Sequence, residues 1–101
     1  MLKKAVAAAK AAFKGWSSKP ASQRADYLYA LKNLVERDKE RLATIITSEM
    51  GKPIKEARAE VDFAAGLLRF AAENARRRQG EIIPGEREGE KILIDRVPHG
   101  V

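Results

Sequence analysis

The sequence contains no cysteine and only one histidine among its 101 residues. The lack of cysteine excludes disulfides, thiolate metal sites and a thiol nucleophile from this stretch of protein. A single histidine cannot form a metal cluster, and His99 lies in a Pro-His-Gly context. We therefore interpret His99 as an ordinary surface histidine.

Long apolar runs are also missing. No segment approaches the roughly 20 apolar residues that a membrane span needs, so we expect a protein of the cytoplasm without membrane contact. The opening MLKKAVAAAKAAFKGW is acid-free, but Lys10 interrupts the apolar run that a secretory signal requires. We favour an amphipathic first helix with Val6, Phe13 and Trp16 near one face, although composition leaves a mitochondrial presequence open.

Positive charge is in excess, with 20 Lys and Arg against 14 Asp and Glu, a net charge of +6. Five lysines precede the first acid, namely Lys3, Lys4, Lys10, Lys14 and Lys19. Beyond them acids and bases interleave, which is typical of solvated helix faces. The run Arg76–Arg78 is placed where a long helix ends and its dipole favours cations. A stand-alone basic interaction module that binds nucleic acid therefore remains the alternative function, and nucleic acid is not the expected partner.

Helical patterns dominate residues 1–80, where we predict three to four helices. Residues 2–14 favour a first helix, which Gly15 and the stretch Ser17-Ser18-Lys19-Pro20 end. Ser22 is a candidate N-cap for the next helix. Asp38 is a candidate N-cap for a restart, and the pattern leaves open whether this span is one helix or two. Gly51 predicts a left-handed helix end, followed by Pro53 in the first turn of a new helix. That helix carries a stripe of mostly small residues for close packing: Val61, Ala64, Ala65, Leu68, Ala71, Ala72 and Ala75.

From residue 81 the pattern changes to β-branched segments, EIIP and KILIDRV, joined by the charged turn GEREG. This pattern predicts a β-hairpin over residues 81–101. The fold class is therefore mainly α with a C-terminal β-hairpin (α+β). Because an isolated hairpin is marginal in water, and Val101 follows a strand directly, we expect the fold to continue in a longer protein.

Catalytic patterns are absent. The sequence has no glycine-rich phosphate loop, no Cys–His pair and no serine elbow. Glu60 and Asp62 are two residues apart on a helix and point to different faces, so we interpret them as surface charges.

An ordered series of short motifs nevertheless resembles the N-terminal region of the aldehyde dehydrogenase superfamily, nearest to its semialdehyde branch. The series covers essentially the whole chain: Ala11-Ala12-Phe13 with Trp16, Arg24, Glu49-Met50-Gly51-Lys52-Pro53, Glu56-Ala57, Glu60-Val61, Gly80, Ile83-Pro84 and Arg96-Val97-Pro98-His99-Gly100-Val101.

The resemblance implies a piece of the α/β aldehyde dehydrogenase fold, in which residues 81–101 form the first arm of an oligomerisation sheet. It implies oxidation of an aldehyde to a carboxylic acid with NAD or NADP, through a cysteine nucleophile carried further along the chain. The partners would be the remainder of the enzyme and further copies in a homo-oligomer. We expect this stretch alone to be inactive and to bind no cofactor.

The resemblance also implies roles for three residues. Phe63 matches a position that lines the substrate tunnel, with Ala59 one turn earlier on the same face; the alternative is that Phe63 belongs to the core. Glu49 matches an acid that helps to bind a monovalent cation in some members. Its alternative is a purely structural turn, with Gly51 ending the helix and Lys52 near the carboxyl end.

Overall fold

The structure is a computed structural model that describes residues 1–77 and 79–101. In these residues it contains the helices α1 (Leu2–Ser17), α2 (Ala21–Arg37), α3 (Lys39–Met50) and α4 (Ile54–Ala75), and the strands β1 (Glu81–Pro84) and β2 (Lys91–Ile94). The expectation of a mainly α chain with a C-terminal hairpin is confirmed. No helix in the described part of the chain is both long and apolar enough to cross a bilayer.

The chain divides into two compact units. One unit is Ala21–Arg76, which holds α2, α3 and α4, and the other combines Met1–Pro20 with Arg77–Val101, which holds α1 and the hairpin. In the second unit, α1 runs through Gly15 to Ser17, and the N–H of Ser18 donates to the carbonyl of Lys14 at 3.2 Å. The helix thus ends within the predicted Ser17–Pro20 stretch. Gly15 alone does not end it, because one glycine costs a helix only about 1 kcal/mol.

The start of α2 also differs from expectation. The helix begins at Ala21, directly after Pro20, so Ser22 lies inside the first turn and does not occupy the N-cap. Proline is tolerated at a helix start because the first turn has no use for its missing N–H. Pro20, and not Ser22, thus precedes the first residue of α2.

The span around Asp38 forms two helices, since α2 ends at Arg37 and α3 begins at Lys39. Asp38 occupies the N-cap position of α3, but its side chain makes no capping hydrogen bond. Its carboxylate instead accepts hydrogen bonds from Arg37 Nε at 2.8 Å and from the Arg41 guanidinium at 3.1 Å. Backbone bonds continue through the break, from Asp38 N–H to the carbonyl of Leu34 at 3.0 Å and from Leu42 N–H to the carbonyl of Asp38 at 2.9 Å.

Small side chains form the core of the Ala21–Arg76 unit, where α4 packs against both α2 and α3. The buried residues of α4 are Ala57, Val61, Ala65 and Ala72. Ala43 of α3 completes a cluster with two of them, surrounded by half-buried Val35, Leu42, Ile46 and Ile54. The predicted stripe is correct in part, because Ala64 and Ala71 are exposed.

Gly51 ends α3 as predicted. Its φ of 77° is left-handed, and its N–H donates to the carbonyl of Thr47 at 2.8 Å. Pro53 lies at the N-cap position of α4, one residue before the predicted place, and its carbonyl accepts the N–H groups of Glu56 and Ala57. At the other end of α4, Arg76 bonds Asp26 of α2 at 3.0 Å. Arg78, the last residue of the predicted basic run, lies outside the described residues.

The hairpin is antiparallel, with Ile82 opposite Leu93 and Ile83 opposite Ile92. Its turn is closed by hydrogen bonds from Gly85 N–H to the carbonyl of Glu90 and from Glu90 N–H to the carbonyl of Arg87, both at 3.0 Å. At the open end, a Cβ on Gly80 would lie 2.6 Å from the backbone oxygen of Ile94. A side chain at residue 80 would therefore push the two arms apart.

Candidate functional site

Helix α4 has a second apolar face, opposite the face that packs on α2 and α3. Its members are Ala59, Phe63, Leu67 and Phe70, spaced by four, four and three residues. The side chains of Phe63, Leu67 and Phe70 are 68%, 52% and 65% exposed. Phe63 is therefore not a core residue of the described chain, and the structure brings Phe63 and Ala59 to one face as expected.

Ion pairs between α3 and α4 hold this apolar face in position. Arg58 donates to both carboxylate oxygens of Glu40 on α3, at 3.0 and 2.9 Å. Lys39 of α3 bonds Asp62 at 2.6 Å. Together with the buried small residues, these bonds hold α4 as a rigid platform, which suits a binding surface better than a loop does.

Leu67 and Phe70 were missed by the sequence reasoning. The signal was available, because they follow Phe63 at i+4 and i+7, the spacing of one helix face. The stripe of small residues accounts for one face of α4 only, and these larger side chains lie outside it. A helix that is apolar on two faces is typical of a segment with neighbours on both sides.

The turn after α3 carries the second predicted site. Glu49 lies exposed in the last turn of α3. The ammonium of Lys52, two residues after the last residue of α3, forms an ion pair with the carboxylate of Glu60 on α4. Nearby, the buried hydroxyl oxygen of Thr47 has no hydrogen-bond partner among the described residues.

A cation held at Glu49 would need further ligands. Within residues 1–77 and 79–101, no group of three or more His, Cys, Asp or Glu side chains is placed to hold a metal ion. Glu49 thus offers one carboxylate, and it does not belong to a cluster of acidic side chains in the described residues.

The acids near the α3–α4 contact are engaged in structural ion pairs. Hydrogen bonds from Arg37 and Arg41 lower the pKa of the Asp38 carboxyl to about 2, and the hydrogen bond from Arg58 lowers the pKa of Glu40. A general base works best with a pKa near the operating pH. These carboxylates therefore stabilise helices and are not suited to proton transfer at neutral pH.

Binding of a dinucleotide cofactor requires a particular arrangement of strand, turn and helix. Dinucleotides bind where a parallel strand runs into a helix N-terminus through a glycine-rich turn. The strands described here form one antiparallel pair, β1 with β2. The described residues therefore contain no parallel strand that leads into a helix through such a turn, and we assign none of them to a nicotinamide cofactor.

The chain thus contains a helical unit, in which α4 has a second, exposed apolar face, and a β-hairpin with exposed apolar side chains. Such a segment is typical of a part of a protein whose apolar surfaces other segments cover. Over all of residues 1–101 the sequence matches the aldehyde dehydrogenase family, and the chain belongs to that family. The match lies on the N-terminal part of longer relatives.

Curated relatives and solved structures agree on this placement. The chain is 37% identical, over 97% of its length, to D-glyceraldehyde dehydrogenase (NADP(+)) of Thermoplasma acidophilum. It is 38% identical, over 96% of its length, to a mitochondrial succinate-semialdehyde dehydrogenase of Oryza sativa subsp. japonica. The crystal structure of Escherichia coli lactaldehyde dehydrogenase superposes on 90% of the chain with a TM-score of 0.85 and 37% identity. The chain spans 20%, 18% and 19% of these three proteins, about a fifth of each.

Proposed function

We propose that this chain is the helical portion and first sheet arm of an NAD(P)-dependent aldehyde dehydrogenase that oxidises an aldehyde, of the semialdehyde type, to a carboxylic acid. The observation that carries the proposal is the family match over every residue of the chain. Relatives named for succinate and aspartate semialdehydes support the substrate class.

Within that function, Phe63 and Ala59 form part of the wall of the substrate tunnel. The support is the exposed apolar face of α4, held by a helix whose other face is buried and ion-paired. An apolar wall binds the carbon chain of an aldehyde and limits the access of water. The small side chain of Ala59 leaves room beside the ring of Phe63.

Glu49 serves as one ligand of a monovalent cation, with the remaining ligands supplied by other parts of the enzyme. The support is its exposed position in the last turn of α3, where helix carbonyls end without intrahelical partners. Both carboxylate and carbonyl oxygens are suitable ligands for a hard cation.

Residues 1–80 form the helical region and residues 81–101 the first arm of an oligomerisation sheet in a homo-oligomer. The support is the apolar, exposed hairpin, whose side chains need cover. We assign the enzyme to the cytoplasm. The 101-residue chain alone is expected to be inactive and to bind no NAD(P), because it has no thiol to attack an aldehyde.

A chimera tests the function. Residues 1–101 would replace the matching segment of the Escherichia coli lactaldehyde dehydrogenase, and NAD(P) reduction would be followed with several aldehydes. We expect the chimera to be active, and Phe63→Ala to lower kcat/KM by about tenfold or more, since pocket contacts are worth roughly 1–3 kcal/mol. The matched control is Phe70→Ala, a change at an equally exposed ring on the same face.

The outcomes separate the claims. A folded but inactive chimera contradicts the family function, and equal effects of the two phenylalanine changes contradict the tunnel. The isolated chain is the negative arm, and turnover above a buffer control would show that it needs no further segment.

A further inference from the structure

Helix α1 separates its apolar side chains from its basic ones. Lys3, Lys10 and Lys14 are spaced by seven and four residues and therefore share one face, with Lys4 beside them. Another face is apolar, and its members are spaced by four, three, four and three residues: Leu2, Val6, Ala9, Phe13 and Trp16. Helix α1 is thus amphipathic, with lysine as its only charged residue type.

Both of these faces are accessible in the described chain. Leu2, Val6 and Trp16 are 79%, 41% and 43% exposed, and Phe13 is half-buried. The four lysines of α1 are all exposed, and none of them forms an ion pair with a carboxylate of the described residues. The apolar face and the positive charges can therefore bind a partner together.

The charge of α1 differs from that of the other three helices. Helices α2, α3 and α4 carry acids as well as bases, and pairs such as Lys39 with Asp62 and Arg58 with Glu40 join them. Helix α1 has no acid with which its lysines could pair. A concentration of one sign of charge attracts an oppositely charged surface, so the complementary partner of α1 is negatively charged.

The apolar face decides which kind of negative partner fits. Nucleic acid offers phosphates to lysine, but its backbone offers nothing apolar to Leu2 and Val6. The surface of a bilayer offers both, since anionic headgroups lie directly above the acyl chains. Tryptophan is enriched at this boundary between headgroups and acyl chains, where Trp16 would lie. The two faces of α1 together favour lipid over nucleic acid.

We propose that α1 binds the surface of an anionic phospholipid bilayer, with its apolar face at the acyl boundary and its lysines among the headgroups. The proposal concerns attachment of the chain and does not rest on the aldehyde activity. Our expectation of no membrane contact came from the lack of a spanning segment. Helix α1, with 16 residues and four lysines, lies in the plane of the surface and does not cross the bilayer.

Trp16 reports this contact directly, because it is the single tryptophan of the chain. The intact chain would be mixed with vesicles of phosphatidylcholine alone or of phosphatidylcholine with phosphatidylserine. We expect the chain to sediment with the vesicles that contain phosphatidylserine, and its emission to shift to shorter wavelength as the indole leaves water. Neither change is expected with phosphatidylcholine alone. Added salt should reduce the bound fraction, because it screens the attraction between lysines and headgroups.

Paired variants separate the charge of α1 from the charge of the whole chain. Lys3→Gln/Lys10→Gln should weaken binding to the anionic vesicles by about tenfold or more, since each lysine near the surface adds to the attraction. Lys55→Gln/Lys91→Gln removes the same charge at exposed positions of α4 and β2 and should leave binding nearly unchanged.

A second pair of variants tests the apolar face. Val6→Ser should weaken binding by about threefold or more, because less apolar surface is buried in the bilayer. Leu31→Ser is the control, at a residue of α2 that is 46% exposed, close to the 41% of Val6. Circular dichroism of every variant shows whether a loss of binding follows from a loss of folding.

Each alternative result overturns the proposal. Equal binding to both kinds of vesicle, or equal effects of the two lysine pairs, would contradict the role of the lysines on α1. Sedimentation without a shift of the Trp16 emission would place the contact outside α1. Tighter binding to duplex DNA than to anionic vesicles at the same salt concentration would assign the lysines to nucleic acid.

The chimera with lactaldehyde dehydrogenase extends the test to a complete enzyme. It should sediment with the anionic vesicles, and Lys3→Gln/Lys10→Gln in the chimera should weaken this binding as it does in the chain alone. If the chimera does not bind while the isolated chain does, other parts of the enzyme cover α1, and the proposal is wrong.

Discussion

Two glycines in the helical unit have opposite effects on stability. Gly51 has a left-handed φ of 77° at the end of α3, whereas Gly66 lies inside α4, and a Cβ would meet nothing within 4 Å at either position. We expect Gly51→Ala to reduce the free energy of unfolding by about 1–2 kcal/mol, the cost of a left-handed L-residue. Gly66→Ala should raise it by up to about 1 kcal/mol, because alanine favours a helix interior.

Urea unfolding of the two variants, followed by circular dichroism, gives this comparison directly. The two sites differ in backbone conformation and not in available space. Equal effects of the two changes would mean that the left-handed conformation does not limit the end of α3.

At this scale the sequence predicts what local chemistry determines. Gly51 was predicted correctly because no other residue adopts its conformation so readily. The helix boundary at Asp38 was predicted correctly, but its side chain does not cap the helix. Arg37 and Arg41 bind the carboxylate that would otherwise accept the capping hydrogen bond. Ser22 was wrong because Pro20 fixes the start two residues earlier. The capping or helix preference of a single residue does not show when neighbouring side chains compete for the same hydrogen bond.

At the scale of elements, ion pairs join α3 to α4 and give the unit an acid-sensitive contact. The pKa of Glu40 is lowered by the hydrogen bond from Arg58, and that of Asp38 falls to about 2 through Arg37 and Arg41. Carboxylates with a lowered pKa stabilise the fold above their unfolded pKa of about 4. This stabilisation is lost as the pH falls through the folded pKa of each group, which is about 2 for Asp38.

Glu40→Gln is therefore expected to reduce the loss of stability as the pH falls below the ordinary pKa of a glutamate, about 4. The effect will be modest, because solvent screens exposed pairs. Thermal unfolding at a series of pH values measures it, with Glu56→Gln, an exposed acid in the first turn of α4, as the control. Parallel curves for wild type and Glu40→Gln would show that the pair with Arg58 does not contribute.

Element types were predictable here, but the faces of α4 were not. A hydrophobic period of 3.6 residues indicates a helix, whichever of its faces is buried. The small residues at 57, 61, 65 and 72 indicate close packing but do not show which helix they contact. The second face at Phe63, Leu67 and Phe70 is a similar case. It is exposed in the described chain, so only the family resemblance could attach a role to it.

At the scale of the whole molecule, apolar surface remains uncovered in each unit. Tyr27, Leu31 and Leu34 form an exposed stripe on α2, and Ile82 and Leu93 are exposed on the hairpin. In the described residues no large side chain is fully buried. Exposed apolar patches of this kind mark contact surfaces, which agrees with a chain that spans about a fifth of its relatives.

The net charge of +6 is a property of the whole chain. It is the basis of the alternative function, a nucleic-acid-binding module, which a binding experiment can test. Many of the basic groups outside α1 are already paired, as in Lys39 with Asp62 and Arg76 with Asp26. We expect binding to DNA or RNA to be weak and independent of sequence, and to collapse with added salt because phosphate contacts release counterions. Titrations of a labelled duplex and a single strand at two salt concentrations measure this, with a Lys3→Gln/Lys10→Gln variant to locate the contacts on α1. If binding is tight, survives high salt and discriminates between sequences, the basic helix has a recognition role that aldehyde oxidation does not explain.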